Sequence, residues 1–465
     1  MKIKQVSVVG LGKLGICLAA VLAHRGFRVN GVDVDQSKIE SINRGHSPIY
    51  EPRLSALIRA SDGRLMATSQ YRNAIAQSDA TFVVVPTPSD QTGGFSLKFV
   101  KQAMREIGRT LSEKSRYHLV ILTSTVMPGS MEGQILPLLE KNSGKLCGKD
   151  FGLCYNPEFI ALGNVIYGLL NPDFILIGES DSRAGEALAR IHSEVCTNSP
   201  PVEHMNFINA EITKISVNSF VTMKMSFANT IAEISERLAG ADVNKITSAI
   251  GKDKRIGSAY LKGALGYGGP CFPRDNIAFS RFATRIGAQA ELARATHRVN
   301  LRQIDRIVDL IEQQAMRKGA KIGILGLSYK PDTNVVDESQ SLMVAKRLAE
   351  RGFEVSVHDP ASMANARAIL GASVKYETTA EDCVDKSDIC VVGTPWKQFS
   401  RLSPALFEKK TVIDCWGLFD HRLGRDVKYV PIGRSVMAAH YVRTPAFRRR
   451  TGRRQAILSS TGRES

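Results

Sequence analysis

No two of the eight cysteines form a CxxC; they stand singly from Cys17 to Cys415. That scatter excludes a disulfide framework and a zinc site of the usual spacing, and it fits thiols kept reduced in a cytoplasm. The nine histidines contain no HxH or HxxxH, so no metal is expected. No apolar run approaches the roughly 20 residues of a bilayer-spanning helix. Met1-Lys-Ile-Lys-Gln5 leads straight into a strand pattern, without the build of a signal peptide, so a cytoplasmic protein is expected. Acid is scarce at the other end. Residues 443–465 carry Arg443, Arg448, Arg449, Arg450, Arg453, Arg454 and Arg463, and read as a disordered basic tail. Part of the net charge of +17 sits there. A solvated end is the plain reading of this tail, contact with nucleic acid or a membrane surface is the alternative, and no nucleic-acid partner is assigned. The 43% hydrophobic and 23% charged fractions are those of a globular protein, and 465 residues exceed one core, so two or three domains are expected.

Proline is missing between Pro201 and Pro270. The gap holds one long helical pattern, from about Asn206 to Ala239. Its apolar residues, among them Ile212, Ile215, Phe220, Met225, Phe227, Ile231 and Ile234, wrap most of the circumference. A helix apolar on nearly all sides is buried or lies in an interface. Lys214 and Asn218 are four apart and share one face, with Glu211 a turn earlier. On such a helix an inward Lys/Asn pair points to function.

What is abundant locally is glycine. Residues 4–10 read as a strand running into Gly10-Leu11-Gly12-Lys13-Leu14-Gly15, a GxGxxG. A helix follows from Ile16 to His24, then a second strand ending in Asp33. Strand, glycine turn, helix and strand, with an acid about 20 residues on, make a dinucleotide site. The helix N-terminus faces the phosphates and Asp33 accepts from the ribose hydroxyls, which favours NAD over NADP. Further strands end at Pro86-Thr87-Pro88, at Thr123-Ser-Thr125-Val-Met-Pro-Gly129, and at Asn156-Pro-Glu158-Phe159. Ligands of an open α/β sheet bind at such carboxyl ends, which makes Thr87, Thr125 and Glu158 candidates. For each threonine alone, turn chemistry is the competing reading.

Gly266-Tyr-Gly268-Gly-Pro-Cys271-Phe-Pro-Arg274-Asp275 packs three glycines and two prolines into ten residues. Regular helix or strand is not expected there. A cysteine beside a cation and a carboxylate is a candidate nucleophile, because nearby positive charge favours the thiolate. A buried cysteine in a tight turn is the alternative reading.

The last third repeats the first. Arg25-Gly-Phe27 with Asp33 returns as Arg351-Gly-Phe353 with Asp359, and Ser78-Asp79 to Pro88 returns as Ser387-Asp388 to Pro395. Lys321-Ile-Gly-Ile-Leu-Gly326 is again strand into glycine turn, without the full GxGxxG. The fold expected is α/β: two doubly wound Rossmann-like domains joined by a long central helix and helical domain. The second is expected to bind a different nucleotide.

These motifs, with Gly326-Leu-Ser-Tyr329-Lys330-Pro-Asp-Thr333, resemble the UDP-glucose/GDP-mannose dehydrogenase family over roughly residues 3–435. The resemblance implies an NAD domain over 1–205, a helical dimerisation domain over 206–300 and a nucleotide-sugar domain over 318–440. It implies a four-electron oxidation of a nucleotide-sugar primary alcohol to the acid, with UDP-glucose to UDP-glucuronate the leading substrate and product. Cys271 would attack the aldehyde, Lys214 and Asn218 would stabilise the oxyanion, Asp275 would move protons, and Glu158 with Thr125 would position water. Gly10, Leu11, Gly12, Leu14, Gly15, Asp33, Lys38, Thr87 and Thr125 would hold NAD. Glu158, Phe159, Lys214, Asn218, Tyr260, Lys262, Gly268 and Lys330 would line the sugar and diphosphate, and Tyr329 would stack on the base. Arg255 would reach a partner subunit's substrate, which implies a homodimer or higher homo-oligomer. The chain departs from the family where Leu162 replaces an acid, where Phe174, Asp337 and Trp416 replace arginines, where Pro270 replaces a serine and where Arg274 replaces a lysine. UDP-N-acetylhexosamines and GDP-mannose stay open as substrates. So do a two-electron dehydrogenase and a nucleotide-sugar-binding protein without turnover.

Overall fold

The structure, a computed structural model, describes residues 3–91, 93–315, 319–420 and 422–435. The expected basic tail, 443–465, lies outside the described residues. Fourteen described strands form two sheets. The first contains β1 (Gln5–Val9), β2 (Arg28–Val32), β3 (Leu65–Thr68), β4 (Ala80–Val83), β5 (His118–Leu122), β6 (Phe151–Tyr155), β7 (Ile175–Glu179) and β8 (Val202–Met205). Its order is β3-β2-β1-β4-β5-β6-β7-β8, parallel except where β6 meets β7. The second contains β9 (Lys321–Leu325), β10 (Glu354–His358), β11 (Lys375–Tyr376), β12 (Ile389–Val392), β13 (Thr411–Asp414) and β14 (Lys428–Pro431), ordered β11-β10-β9-β12-β13-β14 and parallel throughout. Strands β4, β5, β6 and β12 are buried at every residue, because helices cover both faces of a parallel sheet. In each sheet the order reverses beside the first strand, between β1 and β4 and between β9 and β12, which opens a crevice at the glycine turn.

The internal repeat is literal in the backbone. Gly26 and Gly352 end equivalent helices in the left-handed region, at φ +100° and +86°. Phe27 N then donates to Leu22 O and Phe353 N to Leu348 O, both at 3.1 Å. Only glycine takes this conformation without a Cβ penalty, and the turn aims each chain back into its sheet.

Between the sheets runs the long helix Phe207–Glu236. Asn206 caps it by accepting from Asn209 N at 3.0 Å. Ile215 is buried, but larger apolar residues face outward. Phe220 is 60% exposed and Phe227 50%, with Ile212 and Ile234 also exposed. The buried side mixes the polar Glu211, Lys214, Asn218, Thr222, Ser226, Asn229 and Ser235 with Phe207, Ile215 and three alanines. Short and polar residues let the cysteine loop and the helices Phe272–Arg285 and Glu291–Gln314 approach closely. The last of these runs past residue 300, so the helical region reaches Gln314.

Candidate active site

At the end of β1 the chain enters the glycine turn at Gly10, whose φ is +92° and whose N donates to Val32 O at 2.7 Å. A side chain on Gly15 would collide with the Gly10 carbonyl, whereas Gly12 faces open space. The turn is therefore closed on the protein side and open where a ligand approaches. Leu11 is buried, Leu14 packs against the core beside it, and Leu11 N donates to Asp33 Oδ2 at 2.7 Å. Asp33 Oδ1 accepts from Asp35 N at 3.0 Å, and Lys38 Nζ lies 3.8 Å away. Each oxygen of Asp33 keeps a lone pair for a ribose hydroxyl. Thr87 Oγ1 donates to Thr125 O at 2.9 Å, which ties together the segments after β4 and β5. This donor and acceptor set fits a dinucleotide.

The equivalent acid of the second sheet is filled by the protein itself. Asp359 Oδ2 accepts from Leu327 N (2.8 Å), Ser328 N (3.0 Å), Ser328 Oγ (3.1 Å) and Trp396 Nε1 (3.1 Å). Its Oδ1 accepts from Ala361 N (2.9 Å) and Ser362 N (2.7 Å). With its carboxylate saturated, Asp359 does not offer a ribose the lone pairs that Asp33 keeps.

The ten-residue loop is only half irregular. Cys271 precedes the first turn of helix Phe272–Arg285, and Asp275 N donates to Cys271 O at 2.8 Å. Pro273 is accommodated there because the first turn needs no N–H from it. Asp275 is 1% exposed and accepts from Asn218 Nδ2 at 2.6 Å. Arg274 Nη1 donates to Thr87 O at 3.1 Å, its Nη2 lies 3.3 Å from Asp275, and it stacks on Phe95 at 4.6 Å. The thiolate expected from the neighbouring cation is not the resting form. Surrounding protein and the Asp275 carboxylate push the Cys271 thiol up, and Arg274 and Lys214 only oppose them. Cys271 remains exposed to a reactant.

Lys214 is buried, and burial pulls its ammonium down, opposed by Asp275, Cys271 and Glu158. Its Nζ donates to Glu158 O at 2.5 Å and lies 4.6 Å above the Phe159 ring. Phe174, where an arginine was expected, stacks on Phe159 at 4.9 Å. Burial raises the Glu158 carboxyl to about 7, opposed by Lys214. The charged neighbours of Cys271 are Asp275, Arg274 and Lys214; Glu158 is felt instead by Lys214 and Cys196.

The remaining candidates spread along the loop's flanks. Side chains on Gly268 and Gly269 would strike the Glu338 carbonyl and the Tyr329 ring, so Tyr329 lies against the cysteine loop. Gly269 N donates to Asp337 O at 2.9 Å, and the Asp337 carboxylate is felt by Lys13 of the first glycine turn. Lys330 is lowered by burial and faces Asp332 and Glu51. Lys262 sits 5.9 Å over Trp416. Tyr260 is exposed at φ +62°, and Arg255 is exposed and pairs with Asp253 at 2.6 Å.

Sequence reasoning missed the amides that hold this loop. Asn300 Oδ1 accepts from Tyr267 N at 2.7 Å and its Nδ2 donates to Tyr267 O at 2.9 Å. Asn229 Oδ1 accepts from Ala264 N at 2.8 Å, and Asn276 Nδ2 donates to Thr222 Oγ1 at 2.7 Å. Glu51 accepts from Gly163 N (2.8 Å) and Val165 N (2.9 Å), and Glu211 from Gly129 N (2.7 Å) and Met131 N (2.8 Å). No local pattern marks Asn300 or Glu51; their partners lie 33 and more than 100 residues away.

Residues 4–196, 208–302 and 323–421 match, in turn, the NAD binding domain, the central domain and the UDP binding domain of one family. The chain belongs to the UDP-glucose/GDP-mannose dehydrogenase family. It is 35% identical over 427 residues to the UDP-glucose 6-dehydrogenase AglM of Haloferax volcanii, covering 91% of this chain and 99% of that one. It is 33% identical over 432 residues to the GDP-mannose 6-dehydrogenase of Pseudomonas putida, covering 90% and 97%. The structure of a UDP-glucose dehydrogenase from Pyrobaculum islandicum superposes with a TM-score of 0.86 at 36% identity, covering 93% and 98%. As a member of this family the protein is an NAD-dependent nucleotide-sugar dehydrogenase. Among the described residues no helix is long and apolar enough to cross a membrane.

Proposed function

We propose that the protein oxidises the C6 alcohol of UDP-glucose to the carboxylate of UDP-glucuronate in two NAD-dependent steps through a thioester on Cys271. The observation that carries this reading is the convergence of Lys214, Asn218 and Asp275 on the start of the Cys271 helix. Relatives named for UDP-glucose support the sugar.

NAD, when bound, accepts a hydride in each oxidation. Gly10, Gly12, Gly15, Asp33, Lys38 and Thr87 would hold it. Lys214 and Asn218 stabilise the alkoxide formed from the primary alcohol. Cys271 gives its proton to Asp275, and the sulfur adds to the aldehyde, closing an S–C bond and leaving a thiohemiacetal oxygen beside Lys214. Loss of the second hydride leaves the thioester. Water adds, the S–C bond breaks and the thiol re-forms. In sum, alcohol, water and two NAD give carboxylate, two NADH and three protons. The resting thiol suits this order, because the proton needs an acceptor only once aldehyde is present. Glu158, poised near neutrality, serves as the base for water. The exposed apolar face of the long helix meets a second copy, forming a homodimer in the cytoplasm.

The test is NADH formation from NAD with UDP-glucose, GDP-mannose and UDP-N-acetylhexosamines, counted per sugar consumed. Two NADH with UDP-glucose supports the proposal. Two NADH with GDP-mannose only replaces the sugar and keeps the chemistry. One NADH removes the thioester, and binding without NADH removes turnover.

A further inference from the structure

The turn that carries Glu158 hangs on a side chain from the far face of the first sheet. Strands β6 and β7 pair antiparallel over Cys154↔Glu179 and Tyr155↔Gly178, and Asn156 follows where that pairing ends. Asn156 N donates to Leu122 O at 2.8 Å and Asn156 Nδ2 to Leu176 O at 2.9 Å. The amide thus bridges β6 to β7 beyond the ladder. Because its nitrogen is committed as donor, its oxygen must accept. His192, on helix Ser182–Val195, lies with Nε2 2.9 Å from that oxygen. His192 Nε2 therefore carries the proton.

Both residues are buried. Burial pulls the imidazole down to about 4, so it stays neutral and keeps one tautomer at ordinary pH. The ring lines a cavity of about 180 Å³ together with Ile175, Ser193, Cys196 and Ser199.

Two residues beyond Asn156, the Glu158 carbonyl accepts from Lys214 Nζ, and the next side chain, Phe159, lies beneath the same ammonium. Both contacts that place this amine come from one short turn. We propose that His192 is a positioning residue, acting through Asn156 on the Glu158 carbonyl that holds Lys214. The proposal rests on the reading of Lys214 as the alkoxide stabiliser.

The experiment compares His192→Leu, which leaves the Asn156 oxygen unpartnered, with His192→Gln, which retains an N–H donor. Two readouts are taken on the full chain: kcat and KM with UDP-glucose, and the pH dependence of Lys214 acylation by an amine-directed reagent, followed by mass spectrometry. His192→Leu is expected to lower kcat ~10-fold with little change in KM, as a small misplacement of a reacting group does. It is also expected to move the Lys214 acylation midpoint to lower pH, since the amine loses the carbonyl that favours its charged form. His192→Gln is expected to restore both. Should His192→Leu not fold, His192→Met replaces it, because it too offers no N–H donor and its flexible side chain adapts to the space of the ring. Equal behaviour of the Leu and Gln variants, or an unmoved acylation midpoint, overturns the proposal. A moved midpoint with unchanged kcat keeps the positioning and removes instead the assigned role of Lys214.

Discussion

Asn218 Nδ2 donates to Asp275 Oδ2 at 2.6 Å across 57 residues of chain, joining the long helix to the helix that starts after Cys271. The Asp275 carboxylate held there adds to burial in pushing the Cys271 thiol up. Asp275→Asn should therefore do two opposite things. Alkylation of Cys271 by iodoacetamide at pH 7 should speed up, because the thiol loses a negative neighbour. Turnover should fall about 100-fold or more, because the proton acceptor is gone. Alkylation rates across pH and steady-state rates check the pair.

Cys271→Ser should stop acid formation, since a serine hydroxyl has no comparable nucleophilicity at neutral pH. Product analysis by chromatography checks this, with NADH falling from two per sugar to at most one.

The raised Glu158 carboxyl sets a pH dependence. The carboxylate is the active base, so kcat should fall below about pH 7, approaching tenfold per unit on the acid side. Glu158→Gln should lower the plateau and flatten that limb. The sign for stability is the reverse. A carboxyl raised in the folded state binds its proton more tightly there than when unfolded, so its contribution is present at low pH and is lost as pH rises through about 7. Urea unfolding at several pH values should show that loss in the native chain and not in the Gln variant.

Asn300→Ala should destabilise the protein by roughly 2–4 kcal/mol, because it strands the buried N–H and carbonyl of Tyr267. Asn300→Asp keeps the acceptor but buries a carboxylate against the Tyr267 carbonyl, so at neutral pH it should cost no less than Ala and recover as pH falls. Denaturant midpoints separate the two.

Phe220→Asp with Phe227→Asp should yield monomers, as it places charge on the exposed apolar face of the long helix. Light scattering on a sizing column reads the mass directly.

Both sheets were legible because their signals are local. Glycine turns, helix lengths and continuous apolar strands need only neighbouring residues, and the Arg-Gly-Phe turn repeats because one backbone geometry demands glycine twice. The cysteine loop was legible for the same reason, except that its second half begins a helix once Pro273 finds a first turn.

Packing settled which groups lose water and which meet. The long helix buries Lys214, Asn218 and other polar residues because the loop and two helices pack there, and no periodicity states that partner. The Cys271 thiol is raised rather than lowered because desolvation and Asp275 together outweigh two cations. Asp33 stays open while Asp359, its repeat, is filled by Trp396 and four backbone N–H groups. The elements and the kinds of chemistry on them follow from residue order alone. Charge state and convergence depend on neighbours tens to hundreds of residues away, and those exist only after the chain has packed.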